Sequence, residues 1–548
     1  MRDGSISRSA LACAVLFLSG VLTFASAGVA DAPAGNPTTR HHELRYAGIG
    51  DVSSLNPLLT AENVANWLDQ MTMAYLVRYD HDNRPVPELA MVVPTQQNGG
   101  ISADGKTVTY RLRKGVVWSD GAPFTADDVV WTTGVVNDPK TNVESREGWN
   151  RIARIDEPDK LTVVFHLKQP YSPFVATIFA TGGANPAILP KHLLEHTANI
   201  NTDPYNALPV GIGPFKFMEW ARADHVELVA NPTYWRGRPK LDRVIYKIIP
   251  SRDTIVNELL TGDVDLWPIA APAYLPRFGA IKGYHVVRQA GFQFGHIDFN
   301  TSHPAVSDPI VRRALLLAFD RRTQREKIGH GSGILQDAMM SPRSPFYDPK
   351  LGFTEFDVAK ANALLDSAGW KRGADGIRAK NGVRLDLELV SNVGSPDTDS
   401  RIELLRQNWQ AIGVSFVRKN YDPNLLFANY QQGGIIQTGK FDVIFFAWFP
   451  NASGDLSVLY GCDQIPPQGQ NDLHWCDARA QSALDDFKTT YDPARQRRDD
   501  AIVQEELVKQ VPTIVSTIAE DIYVENDDLK GFRPNNVSQF DDMMNVDI

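Results

Sequence analysis

The sequence predicts an α/β protein of two lobes, and three observations carry that prediction. Short runs in which apolar and polar residues alternate recur along the chain, interleaved with longer runs whose apolar residues return every three to four positions. Strands alternating with helices stack as α/β layers. The chain has 548 residues, 43% of them apolar, which is more than one core uses and suggests two lobes. A formal charge of −10 with mixed signs suits a soluble surface and argues against nucleic acid as the main partner.

The first 32 residues stand apart. Arg2 and Arg8 precede an apolar run over residues 10–27, and small residues follow at Ala25-Ser26-Ala27 and Ala30-Asp31-Ala32. Residues 1–32 therefore read as a secretory signal with two A-x-A cleavage points. An uncleaved membrane anchor is the alternative, weakened by Ser19, Gly20 and Thr23. Cys13 precedes most of the apolar run, so it does not mark a lipoprotein site. Residues 33–42, rich in Pro, Gly and Thr, read as a linker.

The elements then follow in order. Residues 44–49 read as the first strand. "TVTYRLR" sets Val108, Tyr110 and Leu112 on one face, and "LTVVFHL" does the same with Leu161, Val163, Phe165 and Leu167. "VRRALLLAFD", 311–320, reads as a helix. Asp357 caps a second, with Val358, Ala361, Leu364, Leu365 and Ala368 as its stripe and Gly369 as its stop. "RLDLELV" is a strand presenting Leu385, Leu387 and Leu389. Ile402, Leu405, Trp409 and Ile412 stripe a third helix, ended by Gly413. "FDVIFFAWF", 441–449, is apolar on both faces and reads as a strand covered on both sides.

Catalytic patterns are sparse. There is no G-x-S-x-G and no phosphate-loop lysine, and "GIGPF" reaches Pro214 where a dinucleotide fingerprint needs a helix start. His192, Glu195 and His196 in "PKHLLEH" spell H-x-x-E-H, the zinc-peptidase pattern. Pro190 would open a helix of two to three turns that buries Leu193 and Leu194, leaving His192 and His196 on one face. No third ligand on a following helix is evident, so a solvated helix face is the reading and zinc peptidase the remote alternative. No catalytic residue, cofactor or metal is expected.

Signal cleavage leaves Cys462 and Cys476. In an exported protein such a pair reads as a disulfide, with two reduced cysteines as the alternative. They are not a zinc site, for they lack C-x-x-C partners and only His474 is near.

The longest pattern is "YRLRKGVVWSDGAPFTADDVVWT", 110–132, in which Asp120-Gly121 makes a turn and Thr125 caps a helix that Asp127 and Asp128 favour. It resembles the signature segment of the family-5 extracellular solute-binding proteins, the receptors of peptide, nickel and related ABC importers. "SSLNPL", "YDHDNRPVPELA", "GIGPFKFMEW", "NPTYWRGRPKLDRV", "GDVDL", "FNT", "VRRALLLAFDR", "AKANALLDSAGW", "FDVIFFAWF" and "VPTIVSTIAEDIYV" are similar to successive landmarks of that family in the same order. The resemblance spans 43–540, and within it the "PKHLLEH" segment is an ordinary helix.

The resemblance implies a type II periplasmic-binding fold in its large, three-subdomain variant. Residues 43–85, 209–300 and 508–548 would form the core of lobe I, 86–208 a subdomain of it, and 301–507 lobe II. A peptide or similar-sized solute would sit in the cleft between the lobes; a metal chelate or oligosaccharide is the alternative. Hinge closure would bury it, and a monomeric, extracytoplasmic receptor would hand it to an ABC permease in the cytoplasmic membrane without making or breaking a bond.

The same resemblance implies site residues. Peptide-binding members carry Gly-Trp and then an aspartate three residues beyond the tryptophan, which pairs with the ligand's α-amine. Here Ala447 precedes Trp448, the third place is Asn451, and the nearest carboxylate is Asp455. Trp448 is expected to pack on the ligand, with Asp455 or Asn451 fixing its polar end and Ser53, Ser54 and Leu55 offering main-chain groups from the opposite lobe. The alternatives are a core tryptophan for Trp448 and a turn with a helix cap for Gly454-Asp455.

Overall fold

The structure is a computed structural model. It describes residues 35–548 apart from 61, 74, 144–145, 147, 183–185, 394–395 and 451–452. The expected secretory signal, residues 1–32, and Asn451 lie outside the described residues. No helix among the described residues is long and apolar enough to cross a membrane.

One ten-stranded sheet organises both lobes. Its order is Ser415–Tyr421, Asp386–Asn392, Val443–Trp448, Tyr284–Phe299, Thr513–Asn526, Leu266–Trp267, Glu43–Gly48, Arg243–Ile248, His225–Ala230 and Phe215–Ala221. The two long central strands run antiparallel to each other and belong to both lobes. On one side Glu43–Gly48 lies parallel to Leu266–Trp267 and Arg243–Ile248. On the other, Asp386–Asn392 lies parallel to Val443–Trp448 and Ser415–Tyr421.

The long strands change register between Ala290 and Phe294, and again between Gly295 and His296. Glycine is required here by close approach. A Cβ at Gly291 would lie 2.6 Å from Asp521 Oδ1 and 3.0 Å from the Ala519 carbonyl oxygen. Irregularities of this kind bend and twist a strand locally, so the lobes meet at residues 290–294.

The cores follow from the alternation in the sequence. Around Glu43–Gly48, buried Tyr46 packs on Trp67, Tyr246 and Phe540. In the other lobe, Leu385, Leu387 and Leu389 meet Ile402, Leu405, Trp409 and Ile412, all buried. Trp409 Nε1 donates to the Leu315 carbonyl at 3.1 Å and so ties two helices together. A separate three-stranded sheet, Thr107–Arg111, Thr162–Leu167 and Ile152–Asp159, buries Val108, Tyr110, Val163 and Phe165 in a core of its own; Leu161 precedes its strand and is half-buried. This subdomain touches the second lobe where the Tyr491 hydroxyl donates to the Gly105 carbonyl at 3.0 Å.

Predicted caps hold the helices. An Asp357 oxygen accepts the Lys360 amide at 2.8 Å, and the Thr125 amide donates to Asp128 Oδ2 at 2.9 Å. Gly369 and Gly413 adopt φ of +83° and +79°, the left-handed stop at a helix end. The expected linker at 33–42 behaves differently over its described part. The Asn36 amide and the Thr39 hydroxyl both donate to Asp528 Oδ2 at 2.7 Å, and His42 Nδ1 lies 2.8 Å from Asp547 Oδ1. Its short polar side chains find fixed acceptors, so it is pinned to the first lobe.

Candidate functional site: the cleft at the lobe crossover

Strand direction places the cleft. The parallel strands of the first lobe end at Gly48, Ile248 and Trp267, and the last of these stands opposite Val524. Just beyond it, the Ala270 amide donates to the Ile522 carbonyl at 2.7 Å. The parallel strands of the second lobe end at Asn392, Tyr421 and Trp448, and Trp448 stands opposite Phe294, itself opposite Ile518. All six C-terminal ends therefore point at the crossover from opposite sides, the place where open α/β sheets bind ligands. From Ile518 to Ile522 is four residues of extended chain, roughly 13 Å. That is the span along the strand between the two sets of ends.

Trp448 stands at one end of this span, half-buried, and packs beside a core containing Phe294, Leu456 and Tyr460. One side of the ring is thus held by the lobe. Asp455 is largely buried, and its Oδ1 accepts at 2.9 Å the Ser457 amide, the first of the short helix Ser457–Tyr460, whose N-cap is Leu456. Gly454 before it has φ +74°. Asp500 lies near: burial pushes its carboxyl well above the usual range, and the charge of Asp455 adds to that.

The loop after Gly48 is fixed from within its own lobe. The Ser53 amide donates to Glu62 Oε2 at 2.9 Å, Ser54 Oγ accepts the Asn56 amide at 3.0 Å, and the Leu55 amide donates to the Asn206 carbonyl at 2.9 Å. Two of the main-chain donors expected to face a ligand are therefore engaged inside the lobe. Cys462 and Cys476 are bonded, with Cα atoms 4.9 Å apart. The bond joins the turn after Ser457–Tyr460 to the start of the helix Ala478–Thr489.

The segment His192–Glu195–His196 is built otherwise than its pattern suggests. The helix is one turn, Lys191–Leu194, not two to three. Leu194 is buried, but Leu193 is exposed. Local side-chain bonds compete with the helix just beyond it: the Thr197 hydroxyl donates to Asp203 Oδ2 at 2.5 Å, and Asn199 Oδ1 accepts the Asn201 amide at 3.1 Å. His192 Nε2 lies 2.8 Å from Asp120 Oδ2, and exposed His196 is 3.7 Å from Glu195. Among the described residues, the one group of three close metal-ligating side chains is Glu219, His225 and Glu227 on an outer hairpin, so His192 and His196 take no part in it.

Sequence reasoning missed a polar cluster under the cleft floor. Arg343 bonds the Gln289 side chain through Nη1 and donates from Nη2 to the His81 carbonyl at 2.6 Å, linking the segment after residue 301 to the first lobe. Asp521, opposite Gln289, accepts from Asn536 Nδ2 at 2.9 Å. Burial pushes its carboxyl up to about 6, against the opposing pull of Asn536 and Arg343. Next to it, Glu520 Oε2 accepts the Gly333 amide and the Ser332 hydroxyl, each at 3.0 Å, and so fastens the segment leading to Arg343 onto the crossover. The available signal was an acidic pair, Glu520-Asp521, inside the otherwise apolar strand "TIVSTIAEDIYV".

Comparisons with known proteins agree with this geometry. The chain is 26% identical over 478 residues to the oligopeptide-binding protein AppA of Bacillus subtilis (strain 168), covering 86% of this chain and 85% of that one. It is 30% identical over 391 residues to protein XP55 of Streptomyces lividans, covering 71% and 68%. Among solved structures, AppA from Bacillus subtilis in complex with a nonapeptide superposes with a TM-score of 0.75 at 23% identity, covering 92% of this chain and 98% of that one. NikA from Brucella suis in complex with Fe(III)-EDTA superposes with a TM-score of 0.79 at 22% identity, covering 92% and 99%. These likenesses establish the two-lobed periplasmic-binding fold. The profile described as bacterial extracellular solute-binding proteins, family 5 Middle, matches residues 84–465, and the chain belongs to that family of binding proteins.

Proposed function

We propose that this protein is the extracytoplasmic receptor of an ABC importer, capturing a peptide or similar-sized solute between its lobes and delivering it to a membrane permease. The observation that carries the reading is the convergence of six strand ends from two lobes on one crossover, the two sets roughly 13 Å apart along the strand. An extended chain with its side chains fills about 10 Å, the spacing of packed sheets. Lobe I comprises 43–85, 209–300 and 508–548 with the subdomain 86–208, and lobe II is 301–507, to whose sheet the long-strand segments 294–299 and 513–518 are joined. Residues 1–32 direct export and are removed, and the mature protein acts as a monomer that changes no bond in its ligand.

Trp448 forms the lobe II wall, and Ser53, Ser54 and Leu55 form the facing edge, with Asn451 and Asp455 in the loop beyond Trp448. Because one oxygen of Asp455 is already bonded to the Ser457 amide, a solute without an α-amine, such as a chelate or oligosaccharide, is the second reading. Mass spectrometry of the solute released by denaturing purified protein, followed by calorimetry with that solute, tests the proposal. A stoichiometric peptide or small solute that rebinds unchanged is expected. Chemical conversion of that solute by the protein would overturn it.

A further inference from the structure

On the reading that the cleft captures a solute, we infer that the solute is apolar where it meets both lobes, a peptide or similar chain rich in aliphatic or aromatic groups. Four of the six strands that end at the crossover release an exposed apolar residue within two positions of their last residue. These are Ile49 after Gly48, Ile269 after Trp267, Val393 after Asn392 and Phe449 after Trp448, at 45%, 39%, 45% and 52% exposed. The strand ending at Tyr421 leads into Leu425, Phe427 and Tyr430, also exposed. The Phe427 ring lies 5.9 Å from that of Phe446, two residues before Trp448 in the same strand. Single exposed apolar residues are ordinary on a protein surface, but a set gathered at strand ends that converge from two lobes is what an apolar ligand groove requires.

The acidic residues of the same loops are differently employed. Asp51 accepts Trp220 Nε1 at 2.9 Å, Glu62 the Ser53 amide, Asp422 the Asn424 amide at 2.9 Å, and Asp455 the Ser457 amide. Asp399 pairs with Arg418 at 2.7 Å. Below them Arg343 is held by Gln289 and His81, and Asp521 by Asn536. These charges are bonded within the protein, whereas the apolar side chains after the strand ends are exposed. Lobe closure on an apolar solute would take both walls out of water at once, whereas a charged solute would meet carboxylates already partly satisfied by internal donors.

The test uses mature protein stripped of solute by unfolding and refolding, with calorimetry against three probes. They are leucyl-phenylalanyl-leucine, the same peptide with its amine acetylated and its carboxyl amidated, and serylglycylserine. The two apolar probes should bind within tenfold of each other, and serylglycylserine at least a hundredfold more weakly. Phe449→Ser and Phe427→Ser should each weaken the blocked peptide tenfold or more at unchanged melting temperature. Val417→Ser, at an exposed position in the middle of the outer strand Ser415–Tyr421, should leave affinity unchanged. Tighter binding of serylglycylserine, or loss of binding on blocking the peptide ends, would overturn the inference and leave capture standing. If no probe binds, the solute released on denaturation decides. An apolar one supports the inference and a charged or polar one refutes it. A protein that neither carries nor binds any solute refutes capture as well.

Discussion

Asp521→Asn probes the buried acid beneath the cleft floor. Asp521 is raised from 3.8 to about 6, chiefly by burial. A carboxyl whose folded pKa is raised contributes stability that is full below the unfolded value and is lost as pH rises through the folded one. The window is therefore pH 3.8 to about 6. The shift of about 2 units, at about 1.4 kcal/mol each, corresponds to roughly 3 kcal/mol of destabilisation above it. Asparagine keeps the oxygen that Asn536 donates to and removes the charge. At pH 4 the variant should match the parent; at pH 8 it should be more stable by up to roughly 3 kcal/mol. Urea unfolding followed by tryptophan fluorescence at the two pH values measures the difference. Glu525 and Asp541, both raised to about 7 mainly by burial, titrate in both proteins and cancel. A variant that is equal or weaker at pH 8 would refute the reasoning, because the field of Arg343 would then outweigh burial at Asp521.

The remaining predictions concern the walls and the joins. Replacing Cys462 and Cys476 by serine opens a loop of 14 residues and should cost about 3 kcal/mol of stability. Thiol titration of unfolded, unreduced parent should find no reactive thiol. Trp409→Ala should cost about 3–5 kcal/mol, as for a fully buried ring, whereas half-buried Trp448→Ala should cost less and lose affinity for the released solute tenfold or more. A large drop in melting temperature with binding intact would return Trp448 to the core. Arg343→Ala breaks the bond to the His81 carbonyl and should favour the open form by about 1.5–3 kcal/mol, seen as a larger radius of gyration in X-ray scattering of the solute-free protein. An unchanged radius would show that the bond does not hold the lobes.

Elements with a clean period were legible in the sequence. Ile402, Leu405, Trp409 and Ile412 are all buried, and Asp357 caps its helix, because both depend on neighbours within a few residues. The "HLLEH" segment misled on helix length because its end is set by Thr197 and Asp203, whose bond no periodicity encodes. The cleft was legible only in part. Trp448 could be placed at a strand end, but its half-buried state depends on Phe294 across the sheet. Arg343, Gln289 and His81 were invisible because they come together from far-apart stretches of chain. Asp455 was readable equally as ligand partner or helix cap; one of its oxygens holds the Ser457 amide, while the cap position itself falls to Leu456.

The position of Thr513–Asn526 in the sheet fixes the order in which the molecule can be completed. This strand is made after the other nine strands of the sheet, yet it lies between Tyr284–Phe299 and Leu266–Trp267, at the seam of the whole sheet. Its pairing with residues more than two hundred positions earlier closes a long loop, and contacts of that range make folding slow. The second lobe's inner strands can assemble with Tyr284–Phe299 as soon as residue 448 is made. The first lobe cannot: until the C-terminal strand arrives, Leu266–Trp267 has an open edge and the sheet stays in two halves. A chain stopped at residue 512 would hold nine of the ten strands and still lack the one that makes them a single sheet.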